Sequence, residues 1–403
     1  MKRARVIFVN RFYWPDEPAT AQLLTDLTRA LAARGYNVTV ITSRTHKGDS
    51  PLLETRDGVL IRRVSATRFD GGGLAGRVVD FVTFCLSAFL RLLICIKNRD
   101  TVVAMTDPPM LGSIAWLAAR LRGARLIHWV QDIYPEVAAE LTGHRSLLLL
   151  RPLRDFTWQR AAACVVPGEA MARIAKTAKV TPENVFVSPN WAPSGLAPVA
   201  ADRVAALRET WDLTGKFVAM YSGNLGRAHD LDALLEVATA LRNDATIAFV
   251  FVGEGASKRS LERSVRTRAL TNVRFFPAQP RESLAVSLSV GDVHFMTLRP
   301  GVERWVFPSK LYGIARVERP VLFVGATDSD VARCVQTAGL GEAFERNDTA
   351  GIAAALLRIR DDAEFRRRFA AGAATFRPLG FKQATDTWCH ILGAELAAPS
   401  GPL

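Results

Sequence analysis

Disulfide chemistry is the first thing this sequence lacks. Its five cysteines (Cys85, Cys95, Cys164, Cys334 and Cys389) are odd in number and scattered over 403 residues, with no Cys-x-x-Cys pair. That excludes a disulfide framework and a zinc ribbon, and it suits a reducing compartment. No signal peptide is read at the start, because Met1-Lys-Arg-Ala-Arg5 runs straight into a short apolar strand, Val6–Val9. Polar low-complexity tracts are missing as well. With hydrophobic residues at 49% and aromatics at 8%, disorder is expected only at the ends. The remaining shortage is acidic: 39 Asp and Glu face 52 Lys and Arg, a net charge of +13. Such a surplus asks for a negative partner, whether nucleic acid, an anionic membrane or a phosphorylated substrate. Nucleic acid is set aside, because no helix-turn-helix, zinc-finger or RNP-like pattern is found and the basic residues are dispersed. A plain coding bias toward arginine and alanine is the rival explanation of the charge.

What is present is an alternation of strand and helix, run through twice. Val6–Val9 reads as a strand and Thr20–Arg34 as an amphipathic helix with leucines at 23, 24, 27 and 31. Gly35 is its C-cap, and Val38–Ile41 is the next strand. After a polar loop near Gly48–Ser50 come Val59–Val64, Thr101–Met105, Arg125–Val130 and Cys164–Val166, each short and mostly apolar. The pattern restarts with Phe217–Tyr221, Ile247–Val252, Val273–Phe276, Val293–Met296 and Val321–Val324. Helices Leu231–Leu241, Ser257–Arg268 and Thr349–Arg360 intervene. The fold class is therefore α/β, with two Rossmann-like, doubly wound parallel sheets. The expected division is 1–190, a linker at 191–202 in the run Asn190–Pro198, 203–375, and a final segment 376–403. Two such halves are expected to face each other across a cleft, with ligands at the carboxyl ends of the strands.

Long apolar runs are absent with one exception. Phe81–Ile96 is almost uniformly apolar, is interrupted by Arg91 and is bracketed by Arg77, Lys97 and Arg99. It falls short of the roughly 20 apolar residues of a spanning helix. A helix lying in a membrane interface and an ordinary buried helix are the two readings. Leu147–Leu150, near Arg145, Arg151 and Arg154, leans weakly toward the first.

The chemistry gathers at three segments of the second half. Tyr221-Ser-Gly-Asn-Leu-Gly-Arg227 is a strand ending in a glycine turn, and Gly223 and Asn224 stand where a backbone can approach a ligand. Arg227 is placed to fork onto phosphate oxygens. Val252-Gly-Glu-Gly255 repeats the device with Gly253 and Gly255. Pro308-Ser309-Lys310 opens a helix whose free N–H groups and lysine suit a phosphate. Together these make a seat for a diphosphate. Glu303, in a loop with Trp305 and Phe307, is a carboxylate for sugar hydroxyls or for charge developing at an anomeric carbon. In the first half, Asp16, Glu17 and Thr20 lie in the loop after the first strand, with Thr20 also a good N-cap. His128 and Asp132 lie in His128-Trp-Val-Gln-Asp-Ile-Tyr-Pro-Glu136. Asp132 falls at a strand's carboxyl end, and a turn aspartate is its rival, while His128 is equally a core histidine. Asp328-Ser-Asp330 is read as capping carboxylates, and no metal is assigned.

At these residues the chain resembles the family-4 glycosyltransferases of the GT-B fold over essentially its full length. The matching segments are the opening strand–loop–helix–strand through Asn37–Val40, Gln131–Glu136, Asn190-Trp191, Tyr221–Arg227, Phe251–Gly255 and Pro308–Gly313. Within the family it is most similar to bacterial transferases of O-antigen, colanic-acid and exopolysaccharide pathways, some described as fucosyl- or N-acetylfucosaminyltransferases. The resemblance implies a hexosyl-type, retaining, metal-independent transfer from a UDP- or GDP-linked sugar, with no resident cofactor. It implies that Arg227 and Lys310 hold the diphosphate with Gly223, Asn224, Gly253, Gly255 and Ser309, and that Glu303, Asp132 and His128 surround the reacting sugar. Asp16, Glu17 and Thr20 fall to the acceptor, which is expected to be a saccharide on polyprenyl diphosphate. The enzyme would then work at the cytoplasmic face of an anionic membrane, reached through 81–96, and a C-terminal helix (Phe376–Leu392, with Trp388) would cross back to the first domain.

The sequence departs from the family in one place. The family writes Glu-x7-Glu, whereas here Glu303 is followed by a longer spacing and Gly313 stands at the matching helix position; Arg316–Pro320 replaces a small, glycine-bearing run. A soluble acceptor, a nucleotide-sugar epimerase of like architecture and a non-catalytic binding protein are the alternative readings.

Overall fold

Val6 and Phe8 alternate with Ile7 and Val9 along the first strand, and the two sets enter different cores on opposite faces of one sheet. The computed structural model describes residues 5–44, 50–69, 73–193, 195–376 and 381–393. Most of the polar loop near Gly48–Ser50, one linker residue and parts of the final segment lie outside them. The chain divides into two units: 1–191 with 305–307 and 379–403, and 192–304 with 308–378. Residues 305–307, expected in the second domain, thus belong to the first unit.

The first unit is an eight-stranded sheet. Its strands are β1 (Arg5–Val9), β2 (Asn37–Ser43), β3 (Leu53–Arg56), β4 (Val59–Val64), β5 (Thr101–Ala104), β6 (Arg125–Trp129), β7 (Ala163–Val166) and β8 (Val185–Val187). The order is β3-β4-β2-β1-β5-β6-β7-β8, parallel throughout except for the β3–β4 hairpin. Sequence reasoning missed that hairpin, although Asp57-Gly58 marks it: both residues sit at positive φ (50° and 76°), as a tight two-residue turn requires. Strand order reverses beside β1, so the loops after β1, β5 and β6 leave the same edge side by side.

Helix Ala19–Ala33 and the C-terminal helix Phe381–Gly393 cover one face of this sheet. Trp388 is fully buried there, 4.9 Å from Trp129 and 6.3 Å from Phe8 between ring centroids. The other face carries helices Gly73–Cys95, Leu111–Leu121 and Arg151–Gln159. The first of these has 23 residues, longer than the apolar run 81–96 suggested. Phe84, Cys85, Ala88 and Leu92 pack into the core, while Leu86, Leu90 and Ile94 are 59%, 60% and 73% exposed. The helix is therefore neither wholly buried nor free of the sheet.

The second unit is a six-stranded parallel sheet. Its strands are β9 (Phe217–Ser222), β10 (Ile247–Val252), β11 (Val273–Phe276), β12 (Val293–Thr297), β13 (Val321–Val324) and β14 (Gly341–Phe344). Their order, β11-β10-β9-β12-β13-β14, reverses beside β9. The long strands were legible because they are continuous apolar runs, the mark of strands covered on both faces.

Candidate functional site

In the second unit the site is built at the carboxyl end of β9. Gly223 turns the chain at φ 135°, and its N–H donates to the Val252 carbonyl at 2.9 Å. The turn after β10 is laid directly against this one: Leu225 N donates to the Glu254 carbonyl at 2.8 Å and Ser257 N to the Leu225 carbonyl at 2.9 Å. A Cβ on Gly253 would stand 2.0 Å from the Gly223 oxygen, and one on Gly255 2.4 Å from the Leu225 oxygen. The close approach that makes both residues glycine is between two stretches of protein backbone. Gly223 is different, since a Cβ there would meet Lys310 Nζ at 3.3 Å.

Lys310 begins helix Lys310–Arg316 and points its Nζ over the Tyr221 ring, 3.6 Å from the centroid. That Nζ is shut off from solvent with no hydrogen-bond partner, and burial pushes its pKa from 10.5 down to about 7. Cation–π contact offsets only part of such desolvation. His229, which sequence reasoning passed over, lies beside it. Its Nδ1 is 2.7 Å from the Thr297 carbonyl, which only accepts, so Nδ1 carries the hydrogen. Burial and then Lys310 push this imidazole down to about 3, and it is neutral at physiological pH. Its nearness to Arg227 in Arg227-Ala-His-Asp230 was the available signal.

The other donor-side candidates are more open. Asn224 and Arg227 are exposed, and the Asn224 carbonyl accepts from Tyr221 Oη at 2.9 Å. The turn does not open the next helix directly: that helix runs Leu231–Ala240 and is capped by Asp230. Ser309 precedes the Lys310 helix without capping it through its side chain. Glu303 is buried, and its Oε1 accepts from Ala326 N at 3.3 Å at the turn after β13. Burial raises its pKa, while backbone N–H groups of Glu303, Ala326 and Gly301 pull the other way. Asp328 and Asp330 are not the cap expected of them. Ser329 caps helix Asp330–Thr337 by accepting from Ala332 N, and Asp330 pairs with Arg333. Among the described residues no cluster of three metal-ligating side chains occurs.

Gly313 lies inside the Lys310 helix, and a Cβ there would meet Leu288 and Leu196 at 3.5 and 3.6 Å, ordinary contact. The position faces apolar side chains. Gly313→Ala is therefore expected to stabilise the protein by about 0.5–1 kcal/mol through helix propensity, read by urea denaturation, with nucleotide affinity unchanged. Five residues on, Glu318 holds φ 57°, the left-handed conformation for which glycine is the ordinary choice.

In the first unit, the loops after β1, β5 and β6 assemble a second cluster. Thr106 Oγ1 accepts from Gln131 N at 3.2 Å and from Asp132 N at 3.3 Å. Asp132 forms a bridge with Val306, and Ile133 N donates to the Trp305 carbonyl at 2.9 Å. Burial, and then the charge of Asp107, push the Asp132 carboxyl from 3.8 up to about 7. Asp107 is raised by burial against the pull of Arg11, whose Nε is 3.2 Å from Oδ1. Tyr134 is raised by burial and by both aspartates. Arg11, Asp107 and Tyr134 were not singled out in the sequence; their places just past β1, β5 and β6 were the only clue.

His128 is not brought to this cluster. Its ring lies in the helix layer, 6.3 Å from the Trp158 ring and against Gly112, where a Cβ would meet Nδ1 at 2.4 Å. Burial pushes it down to about 3. Asp16 and Glu17 sit in a loop braced by Arg63, whose Nη2 donates to the Trp14 carbonyl at 3.0 Å and which pairs with Glu54. Glu17 is exposed. Thr20 is not the N-cap: the helix starts at Ala19 with Pro18 in that role.

Residues 20–191 match the family described as the glycosyl transferase 4-like domain. Over 343 residues the chain is 26% identical to a putative colanic acid biosynthesis glycosyl transferase, WcaI, of Escherichia coli, covering 81% of this chain and 84% of that one. It is 27% identical over 359 residues to a probable glycosyltransferase, WbjE, of Pseudomonas aeruginosa, covering 87% and 88%. A D-inositol 3-phosphate glycosyltransferase of Thermomonospora curvata is 24% identical over 414 residues, covering 93% and 92%. Among solved structures, Anabaena HepE in complex with UDP and glucose is similar in fold, with a TM-score of 0.74 at 14% identity and coverage of 97% and 99%. WaaG, a glycosyltransferase involved in lipopolysaccharide biosynthesis, has a TM-score of 0.66 at 15% identity, covering 96% and 100%.

Proposed function

Because the chain is a glycosyltransferase of the family-4 type built on the GT-B fold, we propose that it moves a sugar from a UDP- or GDP-linked donor to a saccharide carried on polyprenyl diphosphate, in bacterial surface polysaccharide synthesis. The observation that carries this reading is Lys310: an ammonium held out of water, over Gly223, with no anion beside it. A buried charge without a partner is costly, and a diphosphate at the β9 turn supplies the partner. Arg227, exposed on the same turn, adds a second cation, so the protein itself supplies positive charge that a metal ion would otherwise bring to the diphosphate.

In the proposed reaction the bond from the anomeric carbon to the diphosphate oxygen breaks, and the acceptor hydroxyl oxygen bonds to that carbon on the same face. The acceptor proton passes to the leaving diphosphate. Glu303, in the same unit as the β9 turn, is the carboxylate assigned to the positive charge that grows on the donor sugar, and Asp132 is assigned to the acceptor side. The neutral His229 leaves Lys310 as the cation of the pair. Thermal stability with UDP, GDP, dTDP, CDP and ADP, without metal, tests the donor side: one selective nucleoside diphosphate should raise the melting temperature by mass action. No response from any of the five at millimolar concentration would overturn the donor reading.

A lipid-linked acceptor is supported over a soluble one by the outer surface of the first unit. Leu86, Leu90 and Ile94 are continued by exposed Leu117 and Leu121 on the neighbouring helix and by Leu149, 82% exposed, before the next. Arg120, Arg122, Arg151 and Arg160 are exposed among them. An apolar face with a basic border fits an anionic membrane interface. Leu86→Glu with Leu90→Glu is expected to weaken flotation on phosphatidylglycerol vesicles at least about tenfold, leaving nucleotide binding unchanged.

A further inference from the structure

We propose that Arg154 is a positioning residue that fixes Asp132 from the membrane-facing helix, so that seating this helix on an anionic membrane orders the loop that carries the carboxyl. The inference rests on the acceptor reading above and names how that site is regulated. Helix Arg151–Gln159 has two faces. Leu150 just before it, Leu153 and Phe156, spaced three apart, are 41%, 50% and 39% exposed. Arg154, Thr157 and Trp158 point inward and are buried.

The Arg154 guanidinium grips the end of one loop, at Tyr134 and at Glu136, the first residue of helix Glu136–Thr142, and also bonds Asp155 on its own helix. Nη2 donates to Glu136 Oε1 at 2.8 Å and Nη1 to Oε2 at 3.3 Å, a two-pronged grip. Nη1 also donates to the Tyr134 carbonyl at 3.2 Å, and Nε to Asp155 Oδ1 at 2.6 Å. The plane lies 4.2 Å from the Trp158 ring centroid. Both charged side chains are sealed, at 4% and 6% exposed.

A buried ion pair of this kind gives little net stability, since apolar residues of the same volume serve as well or better. What it does give is geometry. Tyr134 and Glu136 stand two and four residues after Asp132, and the loop is held from the other side by Thr106 at Gln131 N and Asp132 N and by Gln131 to Asn190 at 2.9 Å. The charged and titratable groups facing Asp132 are Asp107 and Tyr134, and Arg11 pairs with Asp107 behind them. Arg154 is not among them and acts on Asp132 through the backbone.

The loop is thus clamped between the sheet and a helix whose outer face is apolar. If membrane contact quiets that helix, it quiets the loop. Hydrogen exchange of the full chain, free and bound to phosphatidylglycerol–phosphatidylethanolamine vesicles, reads this directly. In the wild type, amides of 131–136 should slow by about tenfold on vesicles. Arg154→Lys keeps the charge and loses the fork; it should bind the same vesicles while this slowing disappears. A merely structural arginine predicts a different result: faster exchange throughout the first unit, equally with and without vesicles. Should Arg154→Lys fail to fold, Leu153→Ala with Phe156→Ala leaves the ion pair intact. That variant should stay bound through helix Gly73–Cys95 and lose the slowing too. Wild-type protein that binds vesicles with unchanged exchange at 131–136 overturns the coupling and leaves the membrane reading standing. Failure to bind vesicles at all overturns both, and the nucleoside diphosphate panel then tells whether the donor reading survives.

Discussion

Lys310→Met is expected to abolish stabilisation by nucleoside diphosphate and to slow sugar transfer by about a hundred- to a thousandfold, while making the ligand-free protein more stable. The two effects have one cause. Methionine fills nearly the volume of the lysine stem and contacts Tyr221 without an ammonium to desolvate. The unfolded chain keeps the lysine proton up to pH 10.5, whereas burial makes the folded chain release it near 7. Between those values unfolding takes up a proton, so wild-type stability climbs as pH rises. The full shift from 10.5 to about 7 corresponds to at most about 5 kcal/mol withheld at and below neutral pH. Urea denaturation should find the variant several kcal/mol more stable at pH 6 and the gap closing toward pH 10. Calorimetry supplies an independent check. At pH 8 the free enzyme holds Lys310 mostly neutral, and a bound diphosphate favours the charged form. Binding should therefore take up close to one proton, seen as a heat that depends on the ionisation enthalpy of the buffer, and the variant should take up none.

Asp132→Asn should likewise cost about a hundred- to a thousandfold in turnover and raise stability above neutral pH. The sign follows from a carboxyl raised from 3.8 to about 7. The folded state holds this proton through a range where the unfolded state has lost it, so the stability present below pH 4 is lost as pH rises through 7. Replacing the acid by its amide removes that loss, an expected gain of about 2–4 kcal/mol at pH 8. The wild-type rate should rise with pH through a midpoint near 7, and the residual rate of the variant should lack that step. A variant with wild-type turnover would remove Asp132 from the reaction.

Much of this was legible in the residues. β4, β10, β11 and β13 run over Val59–Val64, Ile247–Val252, Val273–Phe276 and Val321–Val324, the spans expected of them, because β10 and β13 are apolar runs and β4 and β11 are rich in β-branched and aromatic residues despite Arg62, Arg63 and Arg274. β3 was not, since Leu-Glu-Thr-Arg is an exposed edge with one apolar residue and only its Asp57-Gly58 turn to mark it. At the site, the position of Lys310 followed from Pro308-Ser309 at a helix start. The roles of the glycines did not: Gly253 and Gly255 look like Gly223 in a sequence, and only coordinates show that they meet backbone instead of open space. Charge clusters were hidden for a related reason. Arg11 and Asp132, the extremes of the group with Asp107, are 121 residues apart along the chain, and adjacency of β1, β5 and β6 is what joins them. Thr20 failed as a cap because the helix begins at Ala19 with Pro18 as its N-cap, a shift of two residues that pattern does not fix.

The place of Trp388 sets a timetable for the ribosome. Most of the first unit has been synthesised by Trp191, yet Phe8 and Trp129 wait for an aromatic partner on helix Phe381–Gly393. At roughly 5–20 residues per second, translation of the intervening second unit takes about 10–40 s. Throughout that interval a large apolar surface of the nascent first unit stands open, a ready target for chaperones, and it closes only when the last helix emerges. A stalled or prematurely terminated chain would expose the same surface permanently, so degradation of incomplete products is built into the order in which the parts are made.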